Sequence, residues 1–472
     1  MMAKRPRVVL YNPRAVFFTM PLALVAVGSA LDPRRYEVTI VDGRLEDDPL
    51  PRLLHETETA VCLGISVLTG APIRDALRVS RAIKAARPDL PIIWGGWHPS
   101  LFAAACLEEP SIDVVVSGQG EDTLREIVER LVGGDGLEGC HGAGFRRDGR
   151  PILNPPRALG DVNVYPPHDY SLIPVDRYFE LKAKRQLDYI SSQGCRFRCG
   201  FCADPNVYNR GWVALTPERI AEEAAVLWRQ YRFDELAFQD ETFFTHAKRV
   251  EELCDHLLDR RLPITWTATM RADQGCRLDE ALFAKARQAG LSRVMVGVES
   301  GSQQMLDWMK KDMKISQVLE TAERCARHGI AAIFNFIVGF PDETDDSVSE
   351  TFALIKRLRR MSPNFETPMF YYRPYPGTEI AAGAVRQGYA FPRSLDGWAE
   401  FDYVGSRGPW VSEEKWRRTE RFKFYSRHAW SGTGALRWPL RVAARWRCMR
   451  DDYRFPIEKR VAEFLRPPQP AS

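Results

Sequence analysis

The sequence has no strong charge of either sign. Its 66 Lys and Arg are nearly matched by 62 Asp and Glu, for a net charge of +4. The whole molecule is therefore no electrostatic magnet for nucleic acid, and no such partner is expected. A disulfide framework is missing as well. Ten cysteines could pair, but a chain of 472 residues buries enough core without them. Most sit singly in apolar surroundings, as Cys62 does in AVCLGIS and Cys325 in AERCARH. Buried reduced thiols and a reducing cytoplasm are the expectation. Nor is there a membrane-spanning run. Residues 15–31, AVFFTMPLALVAVGSAL, imitate one, but Thr19 and Pro21 interrupt them, and the run is short of the roughly 20 residues a spanning helix needs. They lie between VVLYNP and YEVTIVDG, which read as strands, so strand, apolar helix and strand is the better reading. No internal repeat or long low-complexity tract occurs.

What is present is alternation. Residues 7–135 place strand patterns at Val8–Tyr11, Tyr36–Val41, Ala60–Ser66, Pro91–Trp94 and Val114–Ser117, with helical stretches such as IRDALRVSRAIKAAR between them. This is the grammar of an α/β doubly wound, Rossmann-like domain, assigned to 1–150, with ligands expected at the carboxyl ends of its strands. A Pro-rich linker, 151–185, follows. Residues 186–378 alternate again, through DYISSQG, ELAFQDE, ITWTATM, RVMVGVES, AAIFNFIVGF and TPMFYYRPY. Thr216, Pro217 and Glu218 mark the start of the first helix. Six βα units predict a partial TIM-type barrel with its chemistry at the strands' carboxyl ends. Residues 379–472 form a basic, aromatic extension, mainly helical. Between Glu413 and Arg460 there are 14 Lys and Arg against 6 Asp and Glu, with Trp416, Trp430, Trp438 and Trp446 interleaved.

One stretch carries chemistry by itself. GCRFRCGFC places Cys195, Cys199 and Cys202 together with no fourth cysteine in step. Structural zinc wants four ligands, usually as two halves, and only Cys276 could complete the set. A [4Fe–4S] cluster fits three thiolates better, because one iron is then left open for a substrate.

The CxxxCxxC spacing, with Phe201 before its last cysteine, resembles the radical SAM superfamily. AFQDETFF, TWTATMRAD, GVESGS, IVGFPDET and YPGTE follow in order. Asn12 with Pro13, MPLAL, WGGWHPS and VSGQGED resemble the cobalamin module of that superfamily's B12-binding subgroup. The resemblance covers roughly residues 7–380. It implies a (β/α)6 radical SAM barrel behind a cobalamin-binding domain, with a [4Fe–4S] cluster, S-adenosylmethionine (SAM) and cobalamin as cofactors. Cys195, Cys199 and Cys202 would hold three irons and SAM the fourth. Reductive cleavage of SAM would give a 5′-deoxyadenosyl radical that takes hydrogen from the substrate. Phe201, Asp240, Glu241, Arg271 and Glu299 are the candidate SAM contacts. For Arg271 a salt bridge to Asp273 or Asp240 is the alternative, and for Asp240 and Glu241 it is capping of the next helix. Asn12, Ser66, Gly95, Gly96, Gly118, Gly120 and Glu121 are the candidate cobalamin contacts. The DxHxxG signature of a histidine lower ligand is absent, so His98 is read as a hydrogen-bonding loop residue.

The activity so implied is methyl transfer from methylcobalamin to a substrate carbon. The alternative is an oxidative cyclase or ring-rearranging enzyme, like the anaerobic cyclase of magnesium-porphyrin synthesis. A methylthiotransferase, with a second cluster on Cys62, Cys106 and Cys140, and a non-catalytic cobalamin sensor rank lower. The expected partners are a small-molecule or lipid substrate and an electron donor such as flavodoxin or ferredoxin. A peripheral membrane contact through the basic C-terminus is a further expectation.

Overall fold

The structure is a computed structural model that describes residues 5–401, 407–430 and 438–464. The chain forms two compact units, Met1–Ala268 with Tyr375–Asp402 and Thr269–Pro374 with Tyr403–Ser472.

The first unit opens with a seven-stranded sheet. Its strands are β1 (Arg7–Asn12), β2 (Glu37–Asp42), β3 (Ala60–Ser66), β4 (Ile92–Gly95), β5 (Val114–Val116), β6 (Ala143–Arg147) and β7 (Arg150–Leu153). They lie in the order β2-β1-β3-β4-β5-β6-β7. The first five are parallel, and Val8, Val9, Leu10 and Tyr11 are buried, as expected of a strand covered by helices on both faces. The chain reverses its lateral direction at β1 and β3, which opens a crevice at their carboxyl ends. β6 and β7 form an antiparallel edge hairpin that the sequence reading stops short of. Its signal was present in Asp148-Gly149, both with positive φ (51° and 75°), the dipeptide that fits a tight hairpin turn. The apolar run 15–31 is helical only over Leu22–Ser29, and Val16, Phe17 and Phe18 before it are exposed.

The same unit continues with β8 (Gln186–Tyr189), β9 (Ser192–Gly194), β10 (Trp212–Ala214), β11 (Glu235–Phe238) and β12 (Thr265–Arg271), the last running on into the second unit. β8, β11 and β12 pair in parallel, and β9 pairs antiparallel with β10. The stretch DYISSQG is thus two strands, because the chain turns at Ser191 to meet Asp240. Thr216 caps helix Pro217–Tyr231, its hydroxyl accepting from Arg219 N.

The segment 375–402 returns to this unit. Leu395, Trp398 and Phe401 complete the core beneath the first sheet. Trp398 meets Phe102 at 4.6 Å and His98 at 5.7 Å between ring centroids.

In the second unit, β13 (Leu291–Glu299) pairs with β14 (Ala331–Val338), and β14 pairs with β15 (Phe365–Glu366) and β16 (Met369–Tyr371), all in parallel. Helices Glu413–Ala429, Trp438–Arg450 and Ile457–Phe464 form the C-terminal segment. Phe422 stacks on Phe352 with centroids 3.8 Å apart.

Truncating Trp398, 3% exposed, to Ala should cost about 3 kcal/mol, read by urea unfolding. His98 supplies a pH signature. Burial lowers its pKa from 6.5 to about 4. The unfolded chain therefore binds a proton that the folded one refuses. The stability this contributes is full above pH 6.5 and is lost as pH falls toward 4. The slope from this group should be about 1.4 kcal/mol per pH unit in that window, and His98→Gln should flatten it. An unchanged slope would refute the assignment.

Candidate active site

The carboxyl ends of the first sheet enclose a cavity of roughly 480 Å³. Asn12 ends β1, Ser66 ends β3, Gly95 ends β4, and Gly118, Gly120 and Glu121 follow β5. With Gly96, all seven candidate cobalamin contacts line this one cavity. Gly96 has φ +96°, and a Cβ there would lie 3.1 Å from both the N and the O of Val67, so a side chain would be strained and crowded. Ser100, not singled out from sequence, joins two of these turns. Its hydroxyl donates to Gly96 O at 2.7 Å and accepts from Gly118 N at 3.0 Å.

Met20, Leu22 and Leu24 add apolar wall, and Gln193, Val207 and Tyr208 close another side. Glu121 accepts from Gln193 Nε2 at 2.8 Å, and its burial raises its pKa. Among the described residues, Gln193 Oε1 and Gln119 Nε2 are buried without partners. A wide apolar chamber edged by bare glycines, with one unpaired amide acceptor and one unpaired donor, fits a large ligand with amide arms. The residues therefore fit cobalamin.

Gln193 and Tyr208 also bracket the cysteine loop. Gly194, with φ +83°, starts it, and a Cβ there would fall 2.4 Å from Gly211 O. Cys195, Cys199 and Cys202 are half-buried and none is in a disulfide. Cys202 N donates to Cys199 O at 3.2 Å, and Ile380 N, from helix Glu379–Arg386, donates to Gly200 O in the loop at 3.0 Å. Burial, and then the charge of Asp204, push the Cys202 thiol up, which a bound cation would reverse. Asp204 itself rises to about 6 through burial, opposed by its hydrogen bond with Cys195. Among the described residues, no three metal-binding side chains converge on a single ion position. A cluster asks only one thiolate of each of three irons, so this donor set fits [4Fe–4S]. Phe201 lies half-buried in this loop.

Asp240 and Glu241 divide their work. Asp240 is buried and accepts from Ser191 N (2.8 Å), Ser191 Oγ (2.6 Å) and Ser192 Oγ (2.5 Å). Arg249 supplies the opposite charge and itself donates to Ser191 Oγ at 2.7 Å. This network positions the turn between β8 and β9. Glu241 is the residue left over. Its Oε2 is buried without a partner among the described residues. Burial, then repulsion from Asp204, raise its pKa well above the usual carboxylate range, while the Gly194 backbone opposes that rise.

In the second unit, Arg271 pairs with Asp273 at 2.8 Å and donates to Lys311 O. The salt-bridge alternative is thus realised with Asp273. Glu299 has φ +69°, at an irregularity in the β13–β14 pairing, and its carboxylate pairs with Lys311 Nζ at 2.6 Å. Lys311 was missed because KKDMK reads as a solvated charge run. It links Arg271 to Glu299 through its carbonyl and its ammonium.

Cys62, Cys106 and Cys140 are fully buried. Burial pushes the first two thiols up to about 12, as for inert core cysteines. His98 is on helix Trp97–Glu108, not in a loop, 3.3 Å from Thr69 Oγ1, and is no part of the cavity wall.

The B12 binding domain model matches residues 10–128, and the radical SAM superfamily model matches residues 189–355. This chain joins a B12-binding domain to a radical SAM domain. It is a radical SAM enzyme, with a [4Fe–4S] cluster, SAM and cobalamin as its cofactors. An uncharacterized methyltransferase of Pyrococcus horikoshii is 28% identical over 414 residues, 86% of this chain and 88% of that one. The anaerobic magnesium-protoporphyrin IX monomethyl ester cyclase of Rubrivivax gelatinosus is 27% identical over 325 residues, 67% of this chain and 57% of the cyclase. Among solved structures, the radical SAM methyltransferase TsrM of Kitasatospora setae, with cobalamin and a [4Fe–4S] cluster bound, superposes with a TM-score of 0.71. That match is 19% identical and covers 81% of this chain and 78% of that one, which shows a shared fold. The architecture is α/β: a Rossmann-like B12-binding domain, the parallel strands of a radical SAM half-barrel and a helical C-terminal segment.

Gly96→Val should abolish retention of cobalamin by the B12-binding domain, measured by absorbance after gel filtration, while iron content stays at the wild-type level. Full cobalamin retention would show that the cavity is not its site.

Proposed function

We propose that this radical SAM enzyme transfers a methyl group to a carbon atom of a small-molecule acceptor. The supporting observation is that Gln193 and Tyr208 wall the B12 cavity and also bracket the cysteine loop. This supports a reading in which the methyl carrier and the cluster are held side by side within one compact unit. When bound, the cluster supplies the electron for reductive cleavage of SAM, and cobalamin supplies the methyl carrier.

The chain's own residues do the rest. Cys195, Cys199 and Cys202 would hold three irons of the cluster. Glu241, with its Oε2 unpartnered among the described residues beside the loop, is suited to accept from the SAM ammonium group, whose charge would offset the burial that raises its pKa. The glycine turns let the backbone approach the carrier, and the apolar wall from Met20 to Leu24 keeps water from it. A one-electron donor protein of the flavodoxin or ferredoxin class is the proposed redox partner.

Anaerobically reconstituted protein with hydroxocobalamin, SAM and a reductant should form both 5′-deoxyadenosine and S-adenosylhomocysteine. Cys199→Ala should form no 5′-deoxyadenosine while still retaining cobalamin. Sustained 5′-deoxyadenosine with no S-adenosylhomocysteine would reject methyl transfer in favour of cyclisation.

A further inference from the structure

The second unit carries a surface that the chemistry above does not use. On helix Trp438–Arg450, Trp438, Val442, Trp446 and Met449 are between 46% and 63% exposed. Their spacing of four, four and three places them along one side of the helix. The helix has already filled its inner face with Ala444, Arg447 and Cys448. Phe455, 81% exposed, Ile457 and Val461 extend the apolar exposure into the next turn and helix. Single exposed apolar side chains are ordinary, but a stripe containing two tryptophans is not.

The charges around the stripe say what covers it. The same helix carries Arg441, Arg445, Arg447 and Arg450 and no acidic residue. The nearby carboxylates are already engaged: Glu458 with Arg447 at 2.9 Å, Asp451 with Lys356 at 2.6 Å, and Asp452 with Arg454 at 3.1 Å. Arg445 and Met449 share with Arg359, Arg360, Pro363 and Trp430 an open pocket of roughly 450 Å³. Glu366 is the carboxylate whose charge reaches Arg359. Arg450 lies over the Trp446 ring, 5.7 Å from its centroid.

We propose that this face docks on a bilayer bearing anionic lipids, with the stripe in the headgroup boundary and the arginine pocket on the phosphates. A neutral apolar partner would leave the arginines uncompensated, and a soluble polyanion would leave the tryptophans in water. At 13 residues the helix is too short to cross a bilayer, so it lies on the surface.

The test is flotation of the full-length holoprotein with vesicles of phosphatidylcholine alone or mixed with phosphatidylglycerol. The protein should float with the mixed vesicles only, and added salt should weaken the binding. Trp438→Glu combined with Trp446→Glu, and separately Arg360→Glu, should each reduce the bound fraction by about tenfold. Both sets of positions are exposed, and unchanged iron and cobalamin content confirms an intact fold. The proposal is overturned by absence of flotation, or by binding that neither variant reduces. It is equally overturned if light scattering shows a dimer that the double variant dissolves while wild type ignores vesicles. The readout is binding, so it stands or falls separately from methyl transfer.

Discussion

Asp240 sits where water cannot reach it and accepts three hydrogen bonds from Ser191 and Ser192, with Arg249 as its counter-charge. A buried carboxylate tolerates that position only if its lone pairs are filled and its charge is balanced. Removing one partner from such a network costs about 3–5 kcal/mol. That constraint turns the chain between β8 and β9, and Cys195 follows three residues after Ser192. β9 then pairs with β10, which fixes where the cysteine loop returns and where Tyr208 faces the cavity. The thiols and the cavity wall are therefore positioned by the same polar network.

Conformational restriction complements it. Gly194 and Gly96 occupy backbone regions that a side chain would strain, and at each a Cβ would crowd a backbone carbonyl. One starts the cysteine loop and the other lets the backbone close on the cavity. Ser100 ties Gly96 to Gly118, so two strand-end turns move as one piece. In the second unit, Lys311 does similar work for Arg271 and Glu299. Its ammonium matches the buried carboxylate of Glu299, and its carbonyl takes one guanidinium nitrogen of Arg271.

Much of this was legible before the fold. Strand-end glycines and the cysteine triplet are local signals, because a tight turn or a metal ligand imposes its residue type at a fixed spacing. All seven cavity residues expected from the first domain line one chamber for that reason. Asp240 was legible as important, but its network with Ser191, Ser192 and Arg249 was not, since adjacent acidic residues at a strand end look alike until their partners are known. Lys311, Gln193 and Tyr208 carry no local signal. Each acquires its role from a residue far away in sequence: Lys311 from Arg271, Gln193 from Glu121, and Tyr208 from the first domain's strand ends. The edge hairpin at Asp148-Gly149 had its turn signal, but AGFRR and RPIL lack the apolar run that marks the other strands.

The sequence by itself determined the chemistry and the order of domains, because thiolate spacing, glycine turns and strand–helix alternation are near-neighbour properties. Tertiary structure alone decided the rest. It sent Leu395, Trp398 and Phe401 back under the first sheet, made Asp240 a positioning group and left Glu241 with the unpartnered oxygen. It also turned Trp438 and Trp446 outward while the buried face of their helix was satisfied without them. Those outcomes depend on which surfaces meet, and hydrophobic burial and hydrogen-bond pairing settle that only when distant segments compete for the same space.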